Sequence, residues 1–315
     1  MVKQAASVQP ARPRKKRVLR RLLGSWQLYV LIAPATLYYL ICHYWPLYGL
    51  QIAFKSYKPK LGIAGSPWVG MQHFTRFVTG PNFTTLMRNT LSISLSNLLI
   101  GFPIPIILAL TINEIHGRRY KKFVQTVSYA PHFISTVVMV STLTIFLNVN
   151  TGVINKLIGA FGMGPYDFLG TAEWFTAIYV VSDIWQSMGW NSIVFLAALS
   201  GIDTSLTEAA MVDGASRMQR IWHINLPCIL PTVMIMFILN SGKVMSVGYE
   251  KAYLMQNALN LSHSEIISTY VYKVGLINTQ YSFSAAVGLF NSVCNVALMV
   301  IVNFVSKRVS DIGLL

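Results

Sequence analysis

Six apolar runs, each of roughly 20 residues or more, recur along this chain of 315 residues, at 26–49, 89–113, 123–147, 174–199, 228–248 and 281–305. About 20 such residues wind into a helix that crosses the hydrocarbon core of a bilayer, where the backbone must satisfy its own polar groups. The expected fold is therefore an all-α membrane protein with six transmembrane helices. Composition agrees: 11% of residues are charged and mean hydropathy is +0.52, whereas a soluble domain carries about 25% charged residues. Cys42, Cys228 and Cys294 lie far apart in or beside apolar runs, with no pairing or metal spacing, and read as packing residues.

The net charge of +15 is unevenly placed. Arg12 to Arg21 reads RPRKKRVLRR against the first run, and Gly117 to Lys122 reads GRRYKK after the second, while the stretch 148–173 has Lys156 as its one basic residue. Basic residues collect on the cytoplasmic side of membrane proteins, so both termini are expected in the cytoplasm. This distribution argues for topology, with contact to anionic lipid as a second use of the tail, and against nucleic acid as a partner. The expected organisation is a basic cytoplasmic tail (1–25), a six-helix transmembrane domain (26–305) with a cytoplasmic loop at 200–228, and a cytoplasmic C-terminal tail (306–315). The first run is too long for a signal peptide and lacks a small-residue cleavage site.

The loop between the fourth and fifth runs carries EAAMVDGASRMQRIWHINLP, Glu208 to Pro227. Ser205-x-x-Glu208 reads as a capping box opening a short helix over 206–213, which Gly214 stops in a left-handed conformation. Ser216-x-x-Gln219 reads as a second capping box, opening a helix that leads toward Pro227 and Pro231. Two uses fit this helix–turn–helix. It can lie at the headgroups as a connector, or its small Ala209 and Ala210 and its acidic Glu208 and Asp213 can fit a cleft on another protein. The weak apolar area of the first helix favours the cleft.

A polar stripe marks the fourth run. Asp183, Gln186, Ser187, Trp190 and Asn191 share one helix face, and such a stripe must face other helices or a water-filled path. Amides, hydroxyls and an indole suit sugar recognition. On the fifth run Asn240 and Lys243 share a face, and at about 1.5 Å per residue Lys243 falls near the depth of Asp183. The two either pair or both line the path; the alternative is an inter-helix hydrogen-bond network without ligand contact. Ser92 and Ser96, and Ser284, Gly288 and Ser292, are small residues four apart, the spacing of close helix packing. The long stretches 51–88 and 250–280 read either as a docking face or as a lid.

Nothing points to catalysis: the six histidines are dispersed, no metal-binding spacing occurs, and Gly242-Lys243 lacks the remainder of a phosphate-binding loop. Any ATP the protein uses would therefore be expected on a partner. The rival classes are an ion-gradient-driven secondary transporter, whose inverted repeats are not discernible here, and a channel subunit.

Glu208-Ala209-Ala210, Asp213-Gly214-Ala215 and Ile224-x-Leu226-Pro227 together resemble the EAA loop of ATP-binding-cassette importer permeases. WPLYGLQIAFKSYKP (Trp45 to Pro59), SPWVGMQHFTRF (Ser66 to Phe77) and GLFNSVCNVALMVIVNFVSKRVS (Gly288 to Ser310) are similar to the carbohydrate-importer branch, related to the maltose permeases. The resemblance implies a multi-pass permease of the bacterial plasma membrane that imports an oligosaccharide by ATP-driven alternating access. It implies that the EAA loop is a coupling helix in which Glu208, Ala209, Ala210 and Gly214, with Asp213 beside them, form the ATPase contact and its turn. The implied partners are two ATPase subunits that bind ATP and Mg, a second homologous permease in a heterodimer, and an extracytoplasmic solute-binding protein. Lys243 leaves room for an acidic cargo such as a uronate.

Overall fold

In the computed structural model, described for Gly24 and residues 26–310, every regular element is a helix, apart from one isolated β-bridge between Lys55 and Trp68. The basic run at Arg12 to Arg21 and most of the C-terminal tail lie outside the described residues. Four helices are long and apolar enough to cross a membrane: Trp26–Phe54, Phe83–Asn113, Arg217–Ser241 and Tyr281–Arg308. The number rises to six when each of two sharply bent helix pairs is taken as one span.

The chain forms two units, Met1–Gln51 and Ile52–Leu315. In the first, Trp26–Tyr39 is an α-helix with no buried residue, and it runs on as a π turn and then 3-10 turns.

The second unit is knit by three apolar clusters. One joins Ile93, Phe175, Tyr179, Ala252 and Ile266; another joins Phe77, Leu86, Met245, Ile267 and Phe283; the third joins Ile106, Ala109, Phe195, Leu199 and Ile229. Each draws on several spans, as required where lipid offers no hydrophobic incentive and close packing holds helices together. Gly189 marks the tightest approach: a Cβ there would strike the Ser128 carbonyl, so only glycine lets Trp174–Ser200 meet Arg118–Tyr129 at this point.

The third run departs from the expected straight span. Its helix bends by 99° between Arg118–Phe133 and Thr136–Phe146. Pro131 cannot donate a backbone hydrogen bond, and there the helix tightens into a 3-10 turn, Ala130–Phe133, before Ile134 turns extended. Ser135, extended, then starts a fresh helix by accepting from the Val138 N–H at 3.4 Å. A second bend, of 74°, separates Trp174–Ser200 from Thr204–Val212.

Both long inter-span stretches are ordered. Phe54 stacks on Trp68 with ring centroids 5.6 Å apart, and the Lys55 ammonium donates to the Ile63 carbonyl at 2.8 Å. The two stretches are tied together where Arg88 and Asn89 both donate to the Ser262 carbonyl at 3.0 Å. The small-residue spacing on the last span serves packing at one position: Ser284 lies so close to Gly275 that no side chain fits there, and its hydroxyl donates to the Val271 carbonyl.

Candidate functional site

The loop after the fourth span is an elbow made of two capped helices. The first, Thr204–Val212, begins two residues earlier than the Ser205 capping box predicts: Asp203 is its cap, accepting from the Ser205 N–H at 3.0 Å. That bond holds the fully exposed Asp203 carboxyl below its ordinary value. Asp and Ser cap comparably well, and here the more N-terminal of the two wins, so Ser205 is helical. The helix ends in a Schellman arrangement: Gly214 has φ +79°, its N–H donates to the Met211 carbonyl at 3.1 Å, and the Ala215 N–H donates to the Ala210 carbonyl at 2.8 Å. Ser216 and Gln219 then form the expected reciprocal capping box, with bonds of 3.3 and 2.7 Å.

Thr204–Val212 contains no buried residue. Glu208, Ala209, Asp213 and Gly214 are exposed and Ala210 is half-buried. Val212 is 88% exposed, and Met211 and Leu206 are about half exposed. The second half of the elbow is anchored instead. Arg220 is buried and its Nη2 lies 3.3 Å from Glu114 Oε2, while Nη1 donates to the Ala215 carbonyl at 3.2 Å. Asn225 donates to the other Glu114 oxygen at 3.3 Å. Glu114 caps the end of Pro103–Asn113, the second span's last helix.

That second span, with the fourth and fifth, walls a cavity of about 390 Å³. Asp183, Ser187, Asn191, Asn240 and Lys243 line it. Gln186 and Trp190 do not. At roughly 100° of rotation per residue these two fall to one side of Asp183, while Ser187 and Asn191 fall to the other. Gln186 donates to the Ile134 carbonyl at 2.8 Å, and Trp190 stacks on His132 with centroids 4.5 Å apart. Both therefore brace the break in the third span, so the polar stripe divides between cavity and packing.

Asp183 does not pair with Lys243. Its Oδ1 lies 3.4 Å from the Lys251 ammonium, and its Oδ2 accepts from Asn97 at 2.8 Å. Rise per residue locates depth but says nothing of which side chain reaches across. Lys251, with only 6% of its side chain exposed, also donates to the Tyr179 carbonyl at 3.2 Å and sits 4.7 Å from that ring's centroid. Neither the Lys243 nor the Asn191 side chain has a hydrogen bond or ion pair among the described residues, and both residues are exposed and line the cavity. Ser187 donates to the Asp183 carbonyl and Asn240 to the Met236 carbonyl, which leaves each side-chain oxygen open as an acceptor.

The rest of the wall is irregular backbone after Ser241. Asn295 holds it, accepting from the Met245 N–H and donating to Ser246 Oγ, both at 2.8 Å. Irregular backbone at membrane depth is tolerated where it lines a cavity. Sequence reasoning missed Asn97, Asn295, Lys251 and Tyr179. The two asparagines carried a usable signal, since an amide inside an apolar span needs a partner; Lys251 carried none, being a lysine in a long loop.

Comparison with known proteins fits this architecture. Residues 101–311 match the family described as binding-protein-dependent transport system inner membrane component. Among relatives, the polygalacturonan/rhamnogalacturonan transport system permease protein YteP of Bacillus subtilis (strain 168) is 43% identical over 301 residues, covering 96% of this chain and 94% of that protein. A crystal structure of a bacterial ABC transporter involved in import of the acidic polysaccharide alginate superposes with a TM-score of 0.85 at 38% identity, covering 93% of this chain and 99% of that one. The alginate transporter in complex with an alginate pentasaccharide-bound periplasmic protein superposes with a TM-score of 0.86 at the same identity, covering 95% and 100%. With the cavity, the elbow and these matches together, the chain belongs to the inner-membrane components of binding-protein-dependent transport systems.

Proposed function

We propose that this permease subunit of an inner-membrane sugar importer of the ATP-binding-cassette class carries an oligosaccharide through the cavity between its second, fourth and fifth spans by alternating access. The exposed helix Thr204–Val212 docks in a cleft of a cytoplasmic ATPase subunit, with Glu208, Ala209, Ala210, Asp213 and Gly214 at the contact. ATP and Mg belong to that partner. Both termini lie in the cytoplasm with the elbow, and a second, homologous permease completes the path. The ordered stretches 51–88 and 250–280 face the other side and receive the solute-binding protein; the alginate transporter's complex with a periplasmic protein supports this.

One observation carries the reading: Glu114 grips both Arg220 and Asn225. A push on the elbow therefore reaches two cavity walls, the fifth span through the continuous helix Arg217–Ser241 and the second span through Glu114. Such a rigid connection is what a two-state transport switch needs. The cargoes of these relatives, polygalacturonan/rhamnogalacturonan and the acidic polysaccharide alginate, favour an oligosaccharide cut from an acidic polysaccharide.

The test is co-purification. A tagged chain is expected to bring down a soluble ATPase, and the pair Glu208→Lys with Gly214→Val is expected to lose it while the second permease stays bound. Retention of the ATPase by that variant would move the docking site elsewhere.

A further inference from the structure

The cavity has an unbalanced charge. Two ionised side chains line it, Asp183 and Lys243. Asp183 is spent: Lys251 and Asn97 occupy its two oxygens, and the charge of Lys251 is consumed in the same contact, deep behind the wall. What remains is the Lys243 ammonium, exposed where the chain leaves the fifth span and without a partner among the described residues. One helical turn away Asn240 offers an open amide oxygen, and Asn191 offers an amide with both ends free.

A neutral sugar sealed into this cavity would strip water from Lys243 and give nothing back, which is costly for an ammonium. A carboxylate supplies the missing charge and makes a charge-assisted hydrogen bond. From this we infer that Lys243 is the specificity-determining residue of the cavity: its ammonium receives the carboxylate of a uronic-acid residue while Asn191, Asn240 and Ser187 take ring hydroxyls. The inference rests on the reading of the cavity as the sugar path.

Direct binding tests it. The purified transporter, this chain with its second permease and ATPases in nanodiscs without the binding protein, is titrated calorimetrically with trigalacturonate and with its methyl ester, which keeps the rings and removes the charge. The acid is expected to bind about tenfold or more tightly than the ester, the scale of one hydrogen bond to a charged group, and less tightly as salt rises. Lys243→Met is expected to erase that preference by weakening the acid alone, and Lys243→Arg to keep most of it; an unchanged size-exclusion profile and thermal midpoint of the purified complex show that both variants are folded. Equal affinity for acid and ester in the unsubstituted protein, or an acid preference that survives Lys243→Met, overturns the role of Lys243 and leaves the sugar path standing. Binding of neither ligand, in a complex that still hydrolyses ATP, overturns the sugar path and the inference with it.

Discussion

Arg220 and Glu114, 106 residues apart in sequence, meet at 3.3 Å in a nearly dry contact, with 9% and 16% of their side chains exposed. The pair fastens the elbow to the end of the second span, and Asn225 doubles the fastening from the start of the fifth.

Removing one partner of a buried pair strands the other charge, at a cost of about 3–5 kcal/mol. Glu114→Ala is therefore expected to lower the thermal stability of the purified complex markedly. Glu114→Leu combined with Arg220→Met strands no charge and is expected to recover most of that stability. Because the fastening is gone, the double variant is expected to hydrolyse ATP while importing much less sugar, which paired hydrolysis and uptake assays read directly.

Gly214 sits at φ +79° with open space around its absent Cβ. Gly214→Ala therefore meets no clash within this chain and pays only for the left-handed backbone, roughly 1–2 kcal/mol. Asn tolerates that conformation better, so Gly214→Asn is expected to keep more ATPase bound than Gly214→Ala. The amount of co-purified ATPase ranks the two.

At Gly189 the sign is steric. A methyl group there collides with the Ser128 carbonyl, which cannot move without moving the helix Arg118–Tyr129. Gly189→Ala is expected to reduce the yield of monodisperse protein severalfold by size-exclusion chromatography. Gly159→Ala, where no atom lies within 4 Å, is the matched control and is expected to be silent.

Asp183 and Lys251 should behave as a couple. Asp183→Asn leaves a buried ammonium without its counter-charge, and Lys251→Met leaves the carboxylate with Asn97 as its side-chain donor. Each single variant is expected to destabilise the protein and the double variant to do so less than their sum, with a coupling of about 0.5–3 kcal/mol in a thermal double-mutant cycle. Strict additivity would mean that the contact carries no energy.

What the sequence made legible follows from how local each rule is. Spans come from length and hydropathy alone, and the Gly214 turn and the Ser216 box come from four-residue patterns. Asp203 displaced Ser205 as the cap because two good caps stood two residues apart and no local rule ranks them. The break after Phe133 needed Pro131 to be weighed against an otherwise unbroken apolar run. The partner of Asp183 was out of reach: helical rise gives depth, but the lysine that pairs with it is Lys251, beyond the irregular stretch that Asn295 holds. Gln186 and Trp190 lay on the right helix for the cavity and on the wrong side of it.

The central claim is that this chain converts movement of an ATPase at the elbow into passage of sugar through the cavity. Uptake of a labelled oligosaccharide into proteoliposomes holding the full transporter, with ATP inside or outside and with ion gradients imposed or collapsed, tests it most directly. Uptake is expected only with ATP on the ATPase side, insensitive to the gradients, and abolished by Glu208→Lys with Gly214→Val. Uptake driven by an ion gradient without ATP, or undiminished in that variant, would contradict it.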